Sequence, residues 1–323
     1  MTAKSNSDTL ITVYGGSGFL GRHVVRALAK RDYRIRVAVR RPELAFHLQP
    51  LGRVGQIHAV QANLRHAPSV AAAARDAQVL INLVGLLFER GRQHFDTIHA
   101  SGAEQVALAA SAHGARLVHV SAIGADEHSR AAYARSKAEA ERLVLAALPQ
   151  AVIMRPSVMF GPEDDFFNRF AALARMSPAL PLIGGGTTRF QPVFVGDVAA
   201  AIAEAVDGNA RGGTVYELGG PEVKTFEQLM RYVLATIERK RLLVPVPFFA
   251  AKIKATLLQY MPKPPLTPDQ VELLRVDNVV SEAAKAEGRT LQGLGIAPEP
   301  IEAIVPAYLW RFRKTGQFRN RTA

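Results

Sequence analysis

The sequence predicts an α/β protein: a doubly wound parallel sheet followed by a smaller, mainly helical C-terminal lobe. Three observations predict it. A β-branched run enters a glycine-spaced turn that opens a helix near the start of the chain. Apolar, strand-like runs then alternate with helical stretches through the first half. Beyond Gly161 this alternation fades while Pro and Gly increase. At 323 residues the chain is long enough for one large α/β domain with an appended lobe, or for two modest domains.

The first unit is read from "LITVYG" and "FLGRHVVRALAKR". The former is a buried strand, and the latter carries Phe19, Leu20, Val24, Val25 and Leu28 at helical spacing. Gly15, Gly18 and Gly21 stand three apart between and within them. Such spacing allows a tight turn, a close approach of backbone to a pyrophosphate, and a helix packed on the strand with its amino end aimed at the anion. The expected nucleotide contacts are therefore Gly15, Ser17, Gly18, Phe19, Leu20 and Gly21.

The second strand, "RIRVAVRRPE", ends near Arg40. At that point a protein specific for NAD would carry an Asp or Glu for the ribose hydroxyls. This chain has Arg40 and Arg41 instead, which suit a 2′-phosphate and favour NADPH over NADH; the same residues also read as solvated arginines.

Alternation continues through "QIHAVQANL", "AQVLINLVG", "ARLVHVSAIG" and "AVIMRPSVMFG", read as buried strands. Between them lie the helical "PSVAAAARDA", "FDTIHASGAEQVALAASAHG" and "YARSKAEAERLVLAAL". Repeated β-α units of this kind make a Rossmann arrangement, with ligands at the carboxyl ends of the strands. Asn63, the Leu83, Val84 and Gly85 turn, and Pro156, Ser157 and Val158 fall at such ends, where each also reads as an ordinary exit into a loop.

Tyr133 and Lys137 are four apart in "YARSK", hence on one helix face. A lysine one turn from a phenol lowers its pKa and can bind the ribose of a nicotinamide nucleotide, leaving the tyrosine as general acid or base. Ser121, at the end of the preceding strand, is placed to orient a carbonyl. The pair is also common on solvated helices and takes its meaning from the nucleotide fold before it.

Composition narrows the classes. With no cysteine and nine scattered histidines, neither a disulfide nor a metal site is expected. The 40 Lys and Arg against 28 Asp and Glu give +12, which points to an acidic partner, an anionic membrane surface or nucleic acid. No nucleic-acid-binding module is recognisable, so lipid or a subunit contact is preferred. The opening "MTAKSNSDT" is too short and polar to be a signal peptide, and no apolar run nears the ~20 residues that span a bilayer.

With "NLVG", "YARSK" and "RPSVMFGPED" added to the glycines, the chain resembles an atypical short-chain dehydrogenase/reductase of the extended, epimerase-like type. "VRRPELAFHLQPLGRVGQ", "INLVGLLFE", "FDTIHASGAEQVA", "GPEDDFFNRFA" and "RFQPVFVGDVA" narrow this. In order and spacing they resemble the nucleotide-binding accessory subunits of respiratory complex I, the NADH:quinone oxidoreductase, and their bacterial relatives, from about Leu10 to Pro265. The resemblance implies tightly held NADPH with a structural role, and peripheral-arm and membrane-arm subunits of the complex as partners. It also implies a place on the cytoplasmic face of the inner membrane, peripheral to it. In active extended members the catalytic Ser or Thr comes a few residues beyond the strand end; here that neighbourhood is Ala122, Ile123 and Gly124, and Tyr133 follows 12 residues after Ser121. That departure sets a vestigial site against the alternative, a free-standing NADPH-dependent reductase or epimerase using Tyr133, Lys137 and Ser121.

The expected organisation is a nucleotide-binding domain at 9–160 completed by 190–215, a substrate or partner lobe at 161–189 and 216–310, and a basic tail at 311–323. In "PLIGGGTTRFQPVFVGDVAAAIAEAV" the glycines predict a hairpin turn, followed by a strand and a helix with Asp197 as N-cap. "LLVPVPFFAAKIKATLLQYMPKPPLT" combines Phe248, Phe249, Ile253, Leu257, Leu258 and Met261 with Lys252 and Lys254. It reads as an interfacial or docking segment, or as a cap on the protein's own core. The tail interleaves Arg311, Arg313, Lys314, Arg319 and Arg321 with Trp310, Phe312 and Phe318, a mixture that suits anionic lipid, would attract RNA as well, and also reads as a frayed basic terminus.

Overall fold

The computed structural model describes residues 6–262 and 264–315. Phe318, Arg319 and Arg321 of the basic tail lie outside the described residues. The chain forms two compact units. The first comprises Met1–Pro156, Gly196–Leu218 and Ser281–Ala297, and the second Ser157–Val195, Gly219–Val280 and Pro298–Ala323.

In the first unit the elements follow the alternation: β1 (Leu10–Tyr14), α1 (Phe19–Lys30), β2 (Arg34–Val39), β3 (Ile57–Gln61), α2 (Ala67–Ala74), β4 (Val79–Asn82), α3 (Ser101–Ala112), β5 (Arg116–Val120), α4 (Ala132–Ala147) and β6 (Val152–Pro156). These strands and Val215–Leu218 make one seven-stranded sheet. Its order is Val215–Leu218, β6, β5, β4, β1, β2, β3. Every pairing is parallel. The chain reverses its direction of winding at β1, which pairs with β2 on one side and β4 on the other. In an open α/β sheet that is the topological switch point, where a crevice opens at the strands' carboxyl ends.

β4 is buried throughout, and β1 beyond its first residue, as expected of strands covered on both faces. One predicted strand differs. β3 is the sheet edge, and there only Ile57 is buried while His58 and Gln61 face solvent, because no strand pairs with its outer side among the described residues. On one face α2, α3 and α4 close on the sheet through Ala73, Ala74, Ala103, Ala107 and Ala140, whose small side chains let helices approach closely.

The second unit has helices at Phe167–Met176, Phe226–Thr236, Phe248–Leu258 and Pro268–Leu273, with three two-stranded pairings among its short strands. Its core is aromatic: Phe160, Phe167, Phe190 and Phe226 are buried, with Phe166 and Phe170 packed against them. Capping boxes start two of the helices, Thr225 with Gln228 and Thr267 with Gln270.

Three local expectations are corrected. "AVIMRPSVMFG" is two strands: Met159–Phe160 leaves β6 behind and pairs with Val193–Phe194, because Asn278 Oδ1 takes the Ser157 hydroxyl at 2.6 Å and the Val158 N–H at 3.0 Å. Gly184–Gly186 is not a hairpin. It is a tight left-handed turn whose flanking strands pair with different partners, Ala179–Ile183 with Leu242–Val246 and Arg189–Phe190 with Lys224–Thr225. All three glycines have φ between 62° and 75°, a region closed to most side chains. Asp197 is not an N-cap. Its helix begins at Val195 directly from the preceding strand, so Asp197 lies in the first turn, where a carboxylate still favours the free backbone N–H groups.

Candidate functional site

The loop between β1 and α1 is built by backbone contacts that admit only glycine. Gly15 has φ of 80° and donates its N–H to the Ala38 carbonyl at 3.1 Å, tying the loop to β2. A Cβ on Gly21 would sit 2.4 Å from the Gly15 oxygen, so α1 rests directly on the loop's backbone. Gly16, which the three-residue spacing did not single out, is constrained by a side chain: its Cβ would lie 2.9 Å from a Val37 methyl group. α1 begins after Gly18 with no side chain capping it, which leaves its first amides directed at the loop mouth. Ser17 and Phe19 are half-buried there, and Leu20 turns into the core.

Arg40 and Arg41 follow β2 immediately and both are exposed. Neither guanidinium has an ion-pair or hydrogen-bond partner among the described residues, so both are available to an anion. Asn63 is occupied by its own turn: its Oδ1 accepts the Arg65 N–H at 3.1 Å and its N–H donates to Ser69 Oγ at 3.0 Å.

After β4, the Leu83 N–H reaches back to the Tyr14 carbonyl at 3.0 Å and the Val84 N–H to Asn82 Oδ1 at 3.2 Å. Gly85 then passes in front of two buried side chains. A Cβ there would be 3.5 Å from Lys137 Nζ and 3.7 Å from His99 Nε2.

Lys137, on α4, is 4 % exposed and donates to the Val120 carbonyl at 3.2 Å. Burial lowers its pKa to about 8, against the carboxylate of Glu141 one turn on. Glu141 is itself held by Arg155 of β6 through two hydrogen bonds of 2.8 and 2.6 Å, which fixes the rotation of α4 on the sheet. The Tyr133 ring meets Phe95 and His99 edge-on, with centroids 5.8 and 5.5 Å away.

His99 had no signal in the sequence beyond lying in a helical stretch. It sits in a π-helical turn, Asp96–Ala100, that precedes α3 and turns its imidazole inward. Its Nε2 accepts the Leu86 N–H at 2.8 Å and its Nδ1 faces Ser136 Oγ at 2.9 Å. Burial, reinforced by Lys137 and His119, pushes its pKa down to about 2, so the ring is neutral. His119, buried on β5, is held near 3 by burial and by Lys137.

Ser121 follows β5, 4 % exposed, and among the described residues its Oγ has no partner, like Nε2 of His119. Leaving a buried hydroxyl unpaired costs ~1–3 kcal/mol, a cost that a ligand's polar group would relieve. Pro156 closes β6 and accepts the Ile123 N–H at 3.0 Å. Ser157 and Val158 belong to the second unit, where Asn278 uses both. Gly15, Gly18, Gly21, Gly85, Lys137 and Ser121 thus converge on the carboxyl ends of β1, β4 and β5, whereas Asn63 spends its polar groups on its own turn, and Ser157 and Val158 spend theirs on Asn278.

A glycine cradle at the switch point, beside a Tyr and a buried Lys on one helix face, defines a dinucleotide-binding protein of the short-chain dehydrogenase/reductase class. The chain belongs to the NAD dependent epimerase/dehydratase family, whose model matches residues 11–219. It is 38% identical over 326 residues, 97% of this chain and 80% of the other, to the mitochondrial NADH dehydrogenase [ubiquinone] 1 alpha subcomplex subunit 9 of Arabidopsis thaliana. A ceramide reductase of Caulobacter vibrioides is 37% identical over 193 residues, 60% of this chain and 59% of that one. Among solved structures, the NADPH-dependent quinone oxidoreductase of Escherichia coli complexed with NADPH superposes with a TM-score of 0.73, covering 93% of this chain and 99% of that chain at 19% identity. The resemblance to complex I accessory subunits is thereby borne out, and the last likeness supports the fold.

Proposed function

We propose that this chain is an NADPH-holding accessory subunit of respiratory complex I, in which the nucleotide serves mainly to stabilise the fold. The observation that carries the reading is its likeness, over 97% of its length, to a protein named as a subunit of mitochondrial NADH dehydrogenase. Gly15, Ser17, Gly18, Phe19, Leu20 and Gly21 would hold the pyrophosphate, the unpartnered Arg40 and Arg41 the 2′-phosphate, and Lys137 the ribose. Such a nucleotide supplies a hydride when bound. A holding role is favoured because Ala122, Ile123 and Gly124 stand where active extended members carry the catalytic Ser or Thr, and Tyr133 follows only 12 residues after Ser121. The second unit would contact neighbouring subunits and an anionic lipid surface, on the cytoplasmic face of the inner membrane. Among the described residues no helix is long and apolar enough to cross a membrane.

The test is to purify the protein from its own membranes in mild detergent, identify what accompanies it and assay the released nucleotide. Stoichiometric NADPH together with complex I subunits is the expected result. A lone protein that exchanges its nucleotide freely overturns the reading.

A second reading is a free-standing NADPH-dependent reductase. It is favoured by the intact Tyr133 and Lys137 and by the relative named as a ceramide reductase. Here Tyr133 would give a proton to a carbonyl oxygen, and Tyr133→Phe should abolish turnover of an added carbonyl or quinone.

A further inference from the structure

The helix Phe248–Leu258 of the second unit is apolar on both sides. Ala251 and Ala255 face inward, buried in a small cluster with Ile183 and Val271, and Phe248 packs against that cluster. Most of its other large side chains face out. Phe249, Ile253 and Leu257, four apart on the helix, and Tyr260 and Met261 in the turn beyond, are between 50% and 83% exposed. At roughly 100° per residue they form one stripe opposite the alanines, with Lys252 on one flank and Lys254 on the other. A helix that served only to cover its own core would carry these residues on the other side.

The charge around the stripe selects its partner. Between Glu238 and Asp269 the chain has six basic residues, Arg239, Lys240, Arg241, Lys252, Lys254 and Lys263, and no acidic one. Among the described residues, Lys252 is paired with Glu272 at 2.8 Å, Lys254 has no partner, and Arg239 and Arg241 donate to backbone carbonyls without an acid beside them. Of the described basic residues that follow Trp310, Arg311 is bonded to Asn168, and Arg313 to the Thr236 carbonyl, with Glu238 beside it. An apolar stripe between lysines, in an acid-free basic stretch, matches the boundary of an anionic bilayer, where the stripe enters the acyl region and the lysine heads stay among the phosphates. With 11 residues the helix is about 16 Å long, too short to cross a ~30 Å hydrocarbon core, so it lies in the plane.

We infer that Phe248–Leu258 is an in-plane anchor that inserts Phe249, Ile253 and Leu257 into an anionic lipid surface. This deepens the reading of the second unit given above and rests on it only for the presence of the membrane.

Flotation of the full-length chain with vesicles tests it without any complex I subunit, so that failure here leaves the co-purification result standing. The chain should float with vesicles of phosphatidylcholine and phosphatidylglycerol, and at least about tenfold less with phosphatidylcholine alone. Ile253→Asp and Leu257→Asp should each lower partitioning at least about tenfold with an unchanged unfolding midpoint, since both side chains are exposed. Lys254→Glu should lower it only on the anionic vesicles. Wild-type protein that floats with neither composition overturns the inference, as does flotation that Ile253→Asp and Leu257→Asp leave intact. If the chain instead sediments as a dimer that Leu257→Asp dissociates, the stripe belongs to a second copy. Loss of complex I subunits on Leu257→Asp without any change in flotation would assign it to a protein partner.

Discussion

Nδ1 of His99 and Oγ of Ser136 meet at 2.9 Å, joining the π-helical turn before α3 to the first turns of α4. The Leu86 N–H donates to Nε2, so the ring proton sits on Nδ1 and is given to Ser136, whose hydroxyl in turn donates to the Tyr133 carbonyl at 2.8 Å. The imidazole thus holds together the loop after β4, the turn before α3 and the start of the helix that carries Tyr133 and Lys137. It does so as a neutral bridge, with no proton to exchange at working pH.

Replacing His99 by Leu leaves the part-buried Leu86 N–H without its acceptor, while the Ser136 hydroxyl keeps the Tyr133 carbonyl. At ~1–3 kcal/mol for a buried group left unsatisfied, we expect a loss of roughly 1–3 kcal/mol, read as a lower denaturant midpoint. An unchanged midpoint would show that the bridge is dispensable.

The two buried histidines predict a pH dependence. Both have folded pKa values depressed from 6.5, to about 2 for His99 and about 3 for His119, in each case chiefly by burial. Below about pH 6.5 the unfolded chain takes up protons that the folded one refuses, so stability is fully present above that pH and lost as pH falls towards 3. Unfolding midpoints measured over this window should fall more steeply for wild type than for a His119→Asn variant. Parallel curves would count against the neutral assignment of His119.

Lys137 follows the same sign at higher pH. Burial lowers its pKa from 10.5 to about 8, so the unliganded protein should gain stability as pH rises between these values. Lys137→Met should remove that rise and weaken nucleotide binding by at least about tenfold, the loss of about one charged hydrogen bond. Equal affinity in the two proteins, by fluorescence titration, would take the ribose contact away from Lys137.

Two glycines separate fold from binding. In Gly85→Ala the new methyl group would sit 3.5 Å from Lys137 Nζ, ordinary contact, so stability should change by less than ~1 kcal/mol while nucleotide affinity falls. In Gly21→Ala it would meet the Gly15 oxygen at 2.4 Å, so the loop itself must shift and stability falls with affinity. Matching effects at both positions, in paired melting and binding measurements, would mean that Gly85 does not face the nucleotide.

Discrimination between nucleotides rests on Arg40 and Arg41. Removing both as alanines should lower NADPH affinity about tenfold or more and leave NADH affinity nearly unchanged, because two exposed, unpaired guanidiniums have only the 2′-phosphate to lose. A parallel loss of both affinities by calorimetry would assign the arginines to general anion attraction instead.

Much of this protein was legible in one dimension. β-branched runs broken by glycines, and helical stretches between them, dictated the first unit's order of elements, because burial imposes a period on each segment that needs no knowledge of the others. The glycine cradle was readable for the same reason: Gly15, Gly18 and Gly21 answer to a turn made by their own neighbours. Local pattern misled where a distant partner intervened, as when Asn278 pulled Ser157 and Val158 out of a run that read as one strand. What only the tertiary structure decided is which segments meet. That β4 lies beside β1, that His99 reaches Ser136 across 37 positions, that Ser121 is buried with its hydroxyl unpaired, and that Phe249, Ile253 and Leu257 face away from their own core are outcomes of long-range packing. Periodicity states that a face is apolar, but the free energy that chooses its partner depends on surfaces far away in the chain.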